Sequence, residues 1–122
     1  MITVLVVDDS MLIRHVVCRW LEERGFDVES ASNGLEALNR IFEKAPDVII
    51  TDLQMPSMSG GALISVIKAH PTTARIPVVV LASKQSESQS ACPPGVHLRI
   101  YKDIEIEAQL ERAIEQALAQ RV

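Results

Sequence analysis

Three short runs of mostly β-branched, apolar residues, Thr3 to Val7, Val48 to Ile50 and Val78 to Leu81, run almost without polar interruption. A strand with one wet face alternates apolar and polar residues. A strand covered on both faces does not, and helical crossovers that return each strand parallel to the last provide that cover. The segments between the runs read as such helices. After Ser10, which can cap a helix, Leu12, Ile13, Val16, Val17, Trp20 and Leu21 recur at helical spacing, and Gly25 supplies the stop. Asn33-Gly34 reads as a turn, followed by the stripe Leu35, Leu38, Ile41 and Phe42, which Pro46 closes. Leu63, Ile64, Val66 and Ile67 make a third stripe ended by Pro71, and Ile106, Leu110, Ala113, Ile114, Ala117 and Leu118 a last one. Phe26 to Ala31 alternates weakly as a second, edge-like strand, and Leu98 to Tyr101 forms a short fifth. The pattern predicts one α/β domain over residues 1–122, with five parallel strands doubly wound and helices on both faces.

Charge narrows the function. Twelve Lys and Arg against 16 Asp and Glu give a net charge of −4, which argues against a surface built to hold nucleic acid and favours an acidic cluster or a protein partner. Cys18 and Cys92 match no metal or redox spacing and read as reduced thiols; His15, His70 and His97 share no metal spacing and read as surface residues. The opening MITVLVVDDS contains no basic segment, and no apolar run nears the roughly 20 residues of a membrane span. A cytoplasmic protein without membrane contact is expected.

In an open parallel sheet, ligands sit beyond the carboxyl ends of the strands. Those ends carry Asp8 and Asp9 after the first strand, Asp52 after the third, Ala82 and Ser83 after the fourth, and Lys102 after the fifth. Taken singly, an Asp there is a turn former or helix cap, and Lys102 a solvated lysine. As a set, three carboxylates on one rim repel one another unless positive charge sits among them, and a hard divalent cation with oxygen ligands, Mg2+ above all, answers that need.

The segments VVDDS, TDLQMPSMSG, Asn33-Gly34 and Glu36-Ala37-Leu38, with Lys102 near the end, resemble the receiver domain of bacterial response regulators, the chemotaxis regulators among them, over essentially the whole chain. The resemblance implies a flavodoxin-like strand order of 2-1-3-4-5. It also implies that Asp52 is the phosphoacceptor, taking a phosphoryl group from a histidine kinase or phosphotransfer protein. Asp9 would be a direct Mg2+ ligand, Asp8 a ligand through water, and Gln54 a ligand through its backbone carbonyl. Lys102 would pair with the phosphoryl oxygens, while Met55-Pro56 and Gly60 would shape the pocket. Such a domain is no enzyme beyond transfer and hydrolysis at its own Asp52. It answers to an unidentified output protein, without direct nucleic-acid binding, and can form a homodimer. No effector domain follows Val122, so a stand-alone regulator or an excised piece of a longer one is expected.

The departures lie between the fourth strand and the end of the fifth. Ala82 stands where the family carries a Thr or Ser hydroxyl; Ser83 is adjacent, but side chains alternate along a strand, so it is expected to point away. Arg99 takes the place of the family's aromatic, with Tyr101 two residues off, and Asp103 replaces a proline. These changes favour a second reading, an interaction module independent of phosphorylation. A third, an aspartate-nucleophile phosphatase, is weakened by Gln54, where those enzymes carry a second acid. Lys84 to Ala91 contains no Leu, Ile, Val or Phe, so the helix due between the fourth and fifth strands has little to bury and is expected to be short or absent. Fast amide exchange is therefore expected over Ser83 to Gly95, with beryllofluoride and Mg2+ protecting the Asp52 loop more than the Arg99 strand. A protected helix in that segment would show that this half works conventionally.

Overall fold

In the computed structural model, which describes residues 2–52, 60–82, 98–101 and 105–120, the apolar runs pair side by side. The strands β1 (Thr3–Val7), β2 (Asp27–Ala31), β3 (Val48–Asp52), β4 (Val78–Ala82) and β5 (Leu98–Tyr101) form one sheet in the order β2-β1-β3-β4-β5. Every pairing is parallel. The helices are α1 (Met11–Glu23), α2 (Gly34–Glu43), α3 (Gly60–Ala69) and α4 (Ile106–Gln120). The segment between β4 and β5, with the short or absent helix expected there, lies outside the described residues, as do Cys92 and His97.

The missing alternation in the central strands follows from two separate cores. On one face Val4, Val6, Val48, Ile50, Val79 and Leu81 pack with Val17, Trp20 and Leu21 of α1 and Leu110, Ile114 and Ala117 of α4. The intervening positions Leu5, Val7, Ile49, Val78 and Val80 pack on the other face with Ala37 and Ile41 of α2 and Leu63, Ile64 and Ile67 of α3. Full burial of each Val, Leu or Ile side chain among these stabilises the fold by about 1.5–3 kcal/mol. β2, at the sheet edge, is only half-buried up to Ala31, as its weak alternation implies.

Helix boundaries show where local chemistry decides. After α1 the chain closes a Schellman motif: Gly25 donates to the Glu22 carbonyl at 3.1 Å and Phe26 to the Leu21 carbonyl at 3.2 Å. Gly25 takes the left-handed conformation, φ +88°, that this closure requires. Asn33-Gly34, by contrast, is no turn. Asn33 is extended and caps α2, its Oδ1 accepting the Glu36 amide at 2.9 Å. Glu36 in turn accepts from the Ser32 hydroxyl at 2.9 Å, a bond that holds its carboxyl below the ordinary glutamate range.

Two expected apolar stripes are narrower than the spacing suggests. Leu12 is 72% exposed and Met11 is exposed beside it, because each residue advances about 100° around the helix and the buried line runs through Val17, Trp20 and Leu21. On α2 the buried line is Gly34, Ala37 and Ile41; Leu35 and Phe42 (50% exposed) lie on its flank, where Phe42 meets the His70 ring at 5.1 Å. Cys18 is half-buried, and loss of solvent pushes its thiol up to about 11. Among the described residues no helix is long and apolar enough to cross a membrane.

The passage from α3 to β4 is closed by side chains. Lys68 donates to the Ala74 and Ile76 carbonyls at 2.9 and 2.8 Å, and the buried Thr73 hydroxyl donates to the Ile67 carbonyl at 2.6 Å. Thr73→Val keeps the shape and removes that donor, leaving a buried carbonyl in the last turns of α3 short of a partner. We expect a loss of about 1–3 kcal/mol, read as a lower urea midpoint at unchanged m-value. An unchanged midpoint would assign the stability of this junction elsewhere.

Candidate functional site

Strand register brings the acidic residues together. β1 and β3 are neighbours with Val7 opposite Thr51, so the next residues, Asp8 and Asp52, leave the sheet side by side. Asp8 is 0% and Asp52 6% exposed, while Asp9 is exposed. Each offers a carboxylate oxygen, and the three lie within 4.8 Å of one another.

The Asp8–Ser10 segment is held from several directions. The Asp8 amide donates to the Ala31 carbonyl at the end of β2 at 3.1 Å. Its Oδ1 accepts the Ser10 amide at 2.8 Å, and its backbone carbonyl accepts Nη1 of Arg14 at 2.6 Å. Ser10 caps α1, its hydroxyl accepting the Ile13 amide at 3.4 Å. The positive end of the α1 dipole therefore begins immediately after the acidic pair and eases the negative charge there. At β3 the buried Thr51 hydroxyl donates to the Asp52 carbonyl at 3.1 Å.

Two buried carboxylates and a third within 4.8 Å form a hard, all-oxygen donor set. An octahedral Mg2+ with bonds of about 2.1 Å sets its ligand oxygens about 3–4 Å apart, a range within the 4.8 Å that bounds the oxygens here. The residues fit such a cation. Positive charge placed among the three offsets the mutual repulsion of carboxylates, two of which are away from water.

Of the residues expected at the site, Asp8, Asp9 and Asp52 are brought together. Ala82 ends β4, one residue beyond Leu81, the register partner of Asp52, and lies opposite Tyr101 of β5. Gln54, Ser83 and Lys102 lie outside the described residues. Arg14 is the contact that sequence reasoning missed: an arginine in an amphipathic helix carries no signal that its guanidinium returns six residues to a backbone carbonyl.

Residues 4–115 match the family described as the response regulator receiver domain. A gliding motility regulatory protein of Myxococcus xanthus is 40% identical over 83 residues, 68% of this chain and 11% of that protein. The phosphate regulon transcriptional regulatory protein PhoB of Klebsiella pneumoniae is 38% identical over 84 residues, 69% of this chain and 37% of that one. The chain thus spans 11% and 37% of the lengths of these two relatives. Among solved structures, a response regulator receiver domain protein from Clostridium thermocellum superposes with a TM-score of 0.86 at 28% identity, covering 98% of this chain and 96% of that one. The chemotaxis protein CheY4 of Vibrio cholerae gives 0.84 at 27% identity, covering 96% and 98%. With its strand order, its rim of three aspartates and a family match over nearly its full length, the chain belongs to the response regulator receiver domain family.

Proposed function

We propose that this receiver domain takes a phosphoryl group onto Asp52 from a phosphohistidine of a histidine kinase or phosphotransfer protein, at a Mg2+ site made by Asp8, Asp9, Asp52 and the Gln54 carbonyl. The observation that carries the reading is Asp52 at the end of β3, nearly buried, with the Asp8 and Asp9 carboxylates within 4.8 Å. An Asp52 carboxylate oxygen attacks phosphorus in line with the leaving imidazole nitrogen. The O–P bond forms as the N–P bond breaks, and the nitrogen keeps the electron pair and takes a proton. Such a transfer asks the protein for positioning and charge neutralisation more than for covalent work. Bound Mg2+ supplies the larger share of that neutralisation. The β1–β3 register supplies the positioning, and Lys102 an ammonium for the phosphoryl oxygens. In this reading the domain is a cytoplasmic phosphoacceptor and not an enzyme, acting on an unidentified output protein.

Ala82 supports a second reading. A methyl at the end of β4 offers no hydroxyl to a phosphoryl oxygen, which suits an interaction module that works without phosphorylation. Incubation with a small phosphodonor and Mg2+ separates the two. Wild type is expected to gain the mass of one phosphoryl group and Asp52→Asn none. A modified Asp52→Asn protein would remove Asp52 from its role, and an unmodified wild type would favour the second reading.

Asp9 is exposed whereas Asp8 is buried and holds the Ser10 amide, so the two acids contribute differently. Asp9→Ala is expected to weaken Mg2+ binding by about 10-fold or more at little cost in melting temperature. Asp8→Ala is expected to cost less affinity and more stability. Calorimetric titration and thermal unfolding of both variants test this assignment, and equal affinity losses would contradict it.

A further inference from the structure

The Asp9 carboxylate presents a difficulty. It is the exposed member of the acidic cluster, and among the described residues no side chain or amide holds it. Its aim is inherited from the backbone on either side. On the C-terminal side stands Ser10, fixed as the cap of α1; on the N-terminal side stands the Asp8–Asp9 peptide. A peptide unit is planar, so fixing the direction of the Asp8 carbonyl fixes the whole plane from which Asp9 departs. The guanidinium of Arg14 fixes it, donating to that carbonyl at 2.6 Å.

The position of Arg14 makes no sense as a helix stabiliser. It lies four residues after the cap of α1, where the macrodipole disfavours a cation. It also lies close to a cluster whose charge a bound cation must neutralise, so its charge competes with that cation. Its bond goes to a neutral backbone oxygen and not to a carboxylate. Its side chain lines a cavity of about 250 Å3 shared with Met11, His15, Cys18 and Ser30, so neighbouring packing does not force it onto the carbonyl.

We infer that Arg14 is a positioning residue for the cation site, holding the Asp8–Asp9 peptide so that the otherwise untethered Asp9 carboxylate stays aimed at the carboxylates of Asp8 and Asp52. The inference rests on the phosphoacceptor reading and extends it to a residue one helical turn into α1. Its logic is that of outer partners in metal sites, whose loss typically lowers affinity by about 10–100-fold although they never touch the ion.

Two effects of removing Arg14 have opposite signs, and that makes the test sharp. Loss of a nearby positive charge alone would tighten Mg2+ binding. Loss of the tether would weaken it. Arg14→Met removes donor and charge together while filling similar space; Arg14→Lys keeps the charge and gives up the fixed planar fork. Mg2+ affinity is measured by calorimetry on wild type and both variants, with thermal unfolding to set the folded fraction. In the metal-free protein, the Asp9 amide nitrogen resonance reports on the hydrogen bond to the preceding carbonyl.

We expect Mg2+ to bind Arg14→Met about 10-fold more weakly than wild type, with Arg14→Lys in between. The Asp9 amide resonance should be displaced in the same order. A merely structural role would lower the melting temperature and leave the affinity of the folded protein unchanged. Affinity equal to or tighter than wild type in folded Arg14→Met overturns the inference. If Arg14→Met does not fold, Arg14→Lys decides: weaker Mg2+ supports the tether and wild-type affinity removes it. Wild-type protein without measurable Mg2+ affinity would take down the phosphoacceptor reading and this inference together.

Discussion

A parallel ladder has no hairpin turn to fix where its strands stop relative to each other, so the level of β1 against β3 must be set by side-chain packing. Here that level decides everything at the rim. Because successive side chains face opposite ways, a slip of one residue would exchange the two sets of core positions, sending Val4 and Val6 into the space of Leu5 and Val7. It would also displace Asp8 from Asp52 by about 3.3 Å and turn it to the other face. The apolar cores, remote from any chemistry, thus enforce a juxtaposition that the carboxylates themselves oppose. Packing fixes the register, and register fixes the charge cluster.

The cluster is local frustration held in place by its surroundings. The Ser10 amide on Asp8 and the start of α1 each relieve part of the strain of gathering like charges. Neither of these carries a full positive charge. The rest of the described fold is locally consistent, with α1 and α2 capped and the α3–β4 junction closed, as expected when departures from consistency concentrate where function lies.

How much of this could be read from the sequence differs by residue. The central strands were legible because burial on both faces abolishes alternation, and the three aspartates because they follow apolar runs that a parallel sheet must align. Leu12, Leu35 and Phe42 misled because helical spacing marks a face wider than the sheet covers; where the buried line falls depends on how the helix docks, a tertiary fact. Asn33-Gly34 misled because an Asn that begins a turn and an Asn that caps a helix look alike until the backbone is known: here Asn33 is extended and Gly34 already helical. Arg14 was invisible because its partner is a backbone atom, which every residue possesses and no sequence motif marks.

Trp20, the single tryptophan of the chain, lies under the Arg24 guanidinium, 3.8 Å from its ring centroid, against the α1–α4 core. It lies nine residues, about 14 Å along the axis, beyond Met11 at the start of α1, and Asp9 precedes that start. Its emission is therefore an optical gauge of how α1 seats on the sheet, with a cation stacked on the fluorophore itself. Light from this protein reports whether α1 is docked. The same separation makes it a clean indicator of unfolding while that rim is being filled.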